Sequence, residues 1–192
     1  MPAQNARRTP RADARRNVEA ILRAAETCLS RDPEASVAAI AAEAGVGRVT
    51  LYGHFPSRAD LVKAVLAEVV HSANEVLERV DTSGDPKAAL RRLIASSWRV
   101  VHRYRSILAA AERELSPEQV RGTHDTHLLR LTELLERGRE SGDFRSDLPT
   151  SWLVVTCMSL MHAAAGEVNA GRLSDEVAEF AVGETVVAAC HR

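Results

Sequence analysis

Apolar positions recur three and four residues apart through most of this 192-residue chain, and no stretch alternates as a strand would, which predicts an all-α fold. A first helix is expected from about Asp13 to Ser30, where Val18, Ile21, Leu22, Ala25 and Leu29 form one apolar stripe. Asp32-Pro33 ends it, because the residue before a proline avoids the helical region. Ser36 is a good N-cap for a second helix over Val37–Ala44, and a short third helix fits Gly47–His54. Gly45 falls between these two patterns. A glycine there can take positive φ, which lets the second segment leave the first at a steep angle. Pro56-Ser57 breaks the chain again, with Asp60 at capping-box spacing from Ser57.

The fourth helix, about Arg58–Val80, carries Leu61, Val62, Val65, Leu66, Val69 and Leu77 on one stripe and would span roughly 34 Å. It is long enough to touch the first three helices at one end and a second domain at the other. Asp81–Pro86 is a turn cluster, after which a fifth helix fits Lys87–Tyr104, a sixth Arg105–Leu115 and a seventh Pro117–Ser141. Pro149 opens an eighth over Thr150–Ala170, and Ser174 caps a ninth over Asp175–Cys190. These last two are apolar nearly all round and need cover on more than one side. A homodimer through helices eight and nine is expected. The divisions are then an arm over residues 1–12, a domain over 13–60 and a larger helical domain over 61–192, about nine helices in all.

Hydrophobic residues at 45% and charged residues at 27% are ordinary for a globular chain, and the net charge of −1 says little until its distribution is read. The first sixteen residues hold Arg7, Arg8, Arg11, Arg15 and Arg16 against Asp13 alone, whereas from Leu61 onward 16 basic residues face 19 acidic ones. A basic arm, read as disordered, on an acidic body suggests a local polyanion contact that includes Arg15 and Arg16. Cys28, Cys157 and Cys190 show no metal or redox spacing and read as buried small hydrophobes. The uncharged run Thr150–Gly166 is interrupted by Thr156, Ser159 and His162 and reads as a buried helix rather than a membrane span. With no apolar segment behind the basic start, a cytoplasmic protein without membrane association is expected.

The stretch Ser36–Arg58 has the layout of a helix-turn-helix, which lays its second helix in the DNA major groove. A wheel places Leu51 and Phe55 on the inner side of the third helix and Val49, Thr50 and Gly53 opposite, with Arg48 and Tyr52 on one flank and His54 on the other. Arg48 can donate two hydrogen bonds to a guanine, and Val49 and the Thr50 methyl can meet a thymine methyl. Gly53 would allow close approach of the helix to the groove. Tyr52, His54, Arg58 and the Ser36 cap lie where phosphates would flank it.

The run SVAAIAAEAGVGRVTLYGHFPSRADLV resembles the amino-terminal domain of TetR-type transcriptional regulators, in Ile40-Ala41, Ala44-Gly45-Val46, Thr50-Leu51-Tyr52 and His54-Phe55. The resemblance covers residues 14–62; beyond Val80 only the helical plan is similar. It implies an all-helical homodimer, usually a repressor released by a small molecule, with Tyr52, His54 and Arg58 on phosphate and Arg48 reaching bases. The chain departs from the family in Gly47, where a small hydroxyl residue is usual, and in Arg58, where lysine is common.

A regulator of this kind needs a pocket. Trp98 and His102 are one turn apart, as are Met158 and His162, and facing helices five and eight would let these four line a cavity for an effector. His124 and His127 share a helix face without a third ligand, so no metal is expected, and no cofactor motif appears. The reading is a ligand-responsive dimeric repressor of a palindromic double-stranded DNA operator, and not an enzyme. The alternative is a helical small-molecule-binding protein or enzyme whose first domain binds protein rather than DNA.

Overall fold

The computed structural model describes residues 10–122 and 125–191, with the backbone alone described for 10–12, 121 and 125–127. Among the described residues the order is α1 (Pro10–Arg31), α2 (Val37–Glu43), α3 (Arg48–His54), α4 (Arg58–Glu78), α5 (Pro86–Glu114), α6 (Pro117–Arg121), α7 (Asp125–Glu140), α8 (Thr150–Asn169) and α9 (Asp175–Cys190). The all-α expectation holds, and three boundaries are corrected. The first helix begins at Pro10 rather than Asp13, so only residues 1–9 of the expected disordered arm remain, and they lie outside the described residues. The expected fifth and sixth helices are one, α5: no proline, glycine or cap separates Tyr104 from Arg105, and Trp98, Ile107, Leu108 and Ala111 continue one buried stripe. The expected seventh helix is two, with Gly122 closing α6.

Local chemistry explains the turns. The Ser36 Oγ accepts the Ala39 N–H at 3.1 Å and starts α2. Gly45, at φ 68°, ends it in a Schellman motif: Val46 N–H donates to Ala41 O at 3.0 Å and Gly45 N–H to Ala42 O at 3.1 Å. Ser57 and Asp60 close a reciprocal capping box at the start of α4.

Two apolar cores share the chain. The first holds Ile21, Leu29, Ile40, Leu51 and Leu61 from α1–α4 together with Ile107 and Ala111 from α5. The end of α5 is therefore built into the first core. The second core joins Leu90, Leu93 and Trp98 of α5 to Leu134, Met161 and Val186 of α7, α8 and α9. Both ends of α4 are tied down. At its carboxyl end Arg130 of α7 donates to the carbonyls of Leu77 and, at 2.9 Å, of Val80, satisfying oxygens that a helix end leaves free. Arg92 of α5 holds the following turn through the carbonyls of Asp81 (2.9 Å) and Ser83 (2.8 Å).

By length and composition α8 is the one described helix that could cross a bilayer. It packs Leu153, Cys157 and Met161 into the second core while leaving Trp152 and Val155 exposed. On α9, Val182, Val186 and Cys190 are buried, whereas Val177 and Phe180 face outward. Each helix thus has one apolar side covered and one bare.

Candidate nucleic-acid interface and interior cavity

The buried residues of α3 fix which side faces out. Leu51 is fully buried and Phe55 nearly so, which turns Arg48, Val49, Thr50, Tyr52 and Gly53 to the surface. Val49 is 88% exposed. An apolar side chain so fully presented on a short helix has no folding role. Gly53 has none either, because a Cβ there would meet nothing within 4 Å, while glycine costs a helix roughly 1 kcal/mol. His54 is half-buried at the edge of this surface. The first turns of α2 and α3 contain no carboxylate, so their free N–H groups meet no competing negative charge. Arg15 lies outward on α1, 3.5 Å from Glu19, and Arg16 pairs with Asp13; both guanidinium groups are at the surface.

Arg58 is engaged within the chain. Its Nε donates to Glu114 Oε1 at 2.8 Å, its Nη2 to Pro33 O at 2.8 Å and its Nη1 to Ala35 O. Three of its five N–H donors are thus used within the chain, one on each nitrogen. The side chain clamps the α1–α2 connection and the end of α5 to the start of α4. Beside it Arg113 pairs with Glu34 of the same connection.

A cavity of about 60 Å³ lies between α4, α5 and α8. From α4 come Leu66, Val69, Val70, Ala73, Asn74 and Leu77; from α5 come Ser97, Val100, Val101, Tyr104, Ile107 and Leu108. Met158, Met161 and His162 of α8 close it. Two of the four expected lining residues are therefore present, Met158 and His162. Trp98 and His102 are not. The Trp98 Nε1 donates to Asp175 Oδ1 at 3.1 Å, and His102 Nδ1 lies 2.7 Å from the same oxygen, so both turn toward the start of α9. On a helix buried on two sides, inward does not say toward which neighbour. His162 Nδ1 lies 3.3 Å from Glu112 Oε1 on α5.

Asn74 and Tyr104 are cavity residues that sequence reasoning missed; both occur on stripes otherwise read as core. The Cys157–Cys190 contact was also hidden, 33 positions apart on α8 and α9. The hydrogen bond with the Cys190 thiol, and then burial, push Cys157 well above the ordinary thiol range. Among the described residues no group of three or more metal-binding side chains occurs; His124 and the His127 side chain lie outside them.

Residues 21–65 match the family described as bacterial regulatory proteins, TetR family. The chain is 45% identical over 82 residues to the HTH-type transcriptional repressor LfrR of Mycolicibacterium smegmatis, a match that spans 42% of this chain and only 43% of that relative's length. In space the likeness is longer. The crystal structure of LfrR from Mycobacterium smegmatis in complex with proflavine superposes with a TM-score of 0.64 at 28% identity, over 94% of this chain and 99% of that one. A TetR family transcription regulator from Marinobacter aquaeolei shares the fold at 19% identity, with a TM-score of 0.63 over 95% of this chain and 100% of its own. Residues 21–65 thus carry the match to the TetR family of bacterial regulatory proteins, and the helical plan of the chain is similar to that of TetR-type regulators of known structure.

Proposed function

We propose that the protein is a dimeric, cytoplasmic transcriptional repressor that binds a palindromic DNA operator through α3 and leaves it when a small molecule fills the cavity against α4. The observation that carries this reading is the outward face of α3, where Arg48, Val49, Thr50, Tyr52 and Gly53 are presented with no folding task. The relative that bears the name of a transcriptional repressor favours repression over activation. None of the named relatives is an enzyme.

Two copies joined along the bare sides of α8 and α9 would present two α3 helices related by a two-fold axis. Half-sites about one helical turn apart, roughly 34 Å, would then be read together. The cavity as it stands is far below the roughly 300–1,000 Å³ of a typical ligand site. An effector therefore has to open it. Met158 and Met161 are flexible enough to give way, and the wall that can move is α4, whose other end starts in the helix-turn-helix domain. Ligand would favour the dimer whose two α3 helices no longer match the half-site spacing. LfrR has been solved with proflavine bound, which supports a planar aromatic effector class here.

The test is selection of operator fragments with the full-length protein, followed by anisotropy titration across a salt series. Sequence-specific, salt-dependent binding is expected, and replacing Arg48 and Tyr52 together by alanine should weaken it by about a hundredfold, as loss of a bidentate base contact and a phosphate contact would. Binding that is independent of salt, or unchanged in the double variant, would refute the reading.

A further inference from the structure

We infer that the effector is an electrically neutral, largely apolar molecule with one hydrogen-bonding end, an inference that rests on the cavity being the effector site. Among the described residues, none of the fifteen lining the cavity is an aspartate, glutamate, lysine or arginine. A cation entering between Leu66, Val69 and Met161 would lose its water without meeting a counter-charge, and an uncompensated buried charge is strongly disfavoured. The nearby carboxylate does not remedy this. Glu112 is outside the lining, its side chain is 49% exposed, and it already faces His162 at 3.3 Å. Nor can aromatic faces take its place, since cages for cations need several rings and Tyr104 is the sole phenyl or indole ring in the wall. An anion fares no better without lysine or arginine, since His162, the one imidazole in the wall, already faces the Glu112 carboxylate at 3.3 Å.

The few polar groups say what the ligand's end must do. The Ser97 hydroxyl is spent on Leu93 O at 2.7 Å. Asn74, half-buried on α4, and Tyr104, half-buried on α5, face the cavity with no side-chain hydrogen bond among the described residues. A carbonyl, hydroxyl or aryl amine on an otherwise apolar frame would join these two, bridging the lever helix to α5.

The experiment compares two three-ring probes that differ in charge: 1-aminoanthracene, neutral at pH 7, and 9-aminoacridine, protonated at pH 7. Each is titrated by fluorescence into the full-length wild-type protein, Val101→Phe, whose added ring fills the cavity, and Asn74→Asp, which places a carboxylate in it. Aminoanthracene should bind wild type at least about tenfold more tightly than aminoacridine, lose that binding in Val101→Phe, and yield its advantage to aminoacridine in Asn74→Asp. Equal or tighter binding of aminoacridine to wild type, blocked by Val101→Phe, would overturn the neutral class and leave the cavity as the site. Binding of either probe that Val101→Phe does not touch would instead overturn the cavity as the effector site. Binding of neither probe to wild type at tens of micromolar overturns the inference. If Val101→Phe fails to fold, the wild-type comparison together with Asn74→Asp still decides it.

Discussion

Arg58 Nε and Glu114 Oε1 lie 2.8 Å apart, joining the first residue of α4 to the last residue of α5 across 56 positions of chain. Both side chains are mostly covered, at 23% and 29% exposure. Glu114→Gln should keep the shape and remove the charge, at a cost of about 1 kcal/mol for a partly screened pair, or a fall in Tm of about 2–4 °C. Arg58→Gln should cost more, because the carbonyls of Pro33 and Ala35 lose their donors as well. The slope of operator affinity against salt separates this clamp from a phosphate contact. It should stay unchanged in Arg58→Gln, whereas loss of one phosphate contact from each protomer of the dimer would reduce it by about 1.8.

Gly138 and Phe144 form a second tight pair. A Cβ at position 138 would overlap the buried Phe144 ring, with Cγ at 2.8 Å and two further ring carbons closer still. The chain closes the contact with the Phe144 N–H on Gly138 O at 2.9 Å, so neither side can retreat cheaply. Gly138→Ala would raise helix propensity at an α7 position, yet overpacking should dominate and lower stability by about 1–3 kcal/mol. Thermal denaturation decides the sign, and a stabilised variant would mean the ring can move aside.

What sequence could reveal follows the distance over which each feature is made. The Gly45 turn, the Ser36 cap and the Ser57–Asp60 box are completed within six residues, and each appears where its residues called for it. Arg58 was different: its partners within the chain stand 23 to 56 positions away, where no local pattern points to them. The α5 stripe runs on past the expected break at Tyr104-Arg105, where Arg105 stays half-buried and donates to His102 O at 2.9 Å within the same helix. Helices five and eight were rightly placed together, but which residues of α5 face α8 and which face α9 depends on packing angles. Hence Met158 and His162 line the cavity while Trp98 and His102 turn to Asp175.

Asp147 gives a pH dependence with a fixed sign. The Arg145 guanidinium holds its carboxylate by two bonds, at 2.8 and 2.6 Å, and lowers its pKa to about 2. A carboxylate whose folded pKa lies below its unfolded value, about 3.9, adds stability that is present above that value and is lost as pH falls through the folded pKa. The window is therefore between about pH 4 and pH 2. Melting curves of wild type and Asp147→Asn should differ at pH 6 and converge as the pH approaches 2. A constant difference down to pH 2 would place the effect elsewhere.

Phe180 offers the sharpest test of the dimer. It is 72% exposed on α9, and the bare side of α8 presents Trp152 and Val155. A monomer would leave all of these in water, which soluble chains tolerate singly but seldom as a patch. Because Phe180 has little cover inside its own chain, Phe180→Asp should leave the fold of each protomer intact, with an unchanged far-UV spectrum. Placed in an apolar contact that two-fold symmetry doubles, the same change buries two carboxylates without partners, and the dimer should dissociate. Operator affinity should fall with it. A protomer carrying one α3 helix binds one half-site, and the gain from holding two heads at a fixed spacing disappears. Sedimentation velocity on the variant would show the monomer directly. A variant that remains dimeric with unchanged operator affinity would move the interface away from α8 and α9.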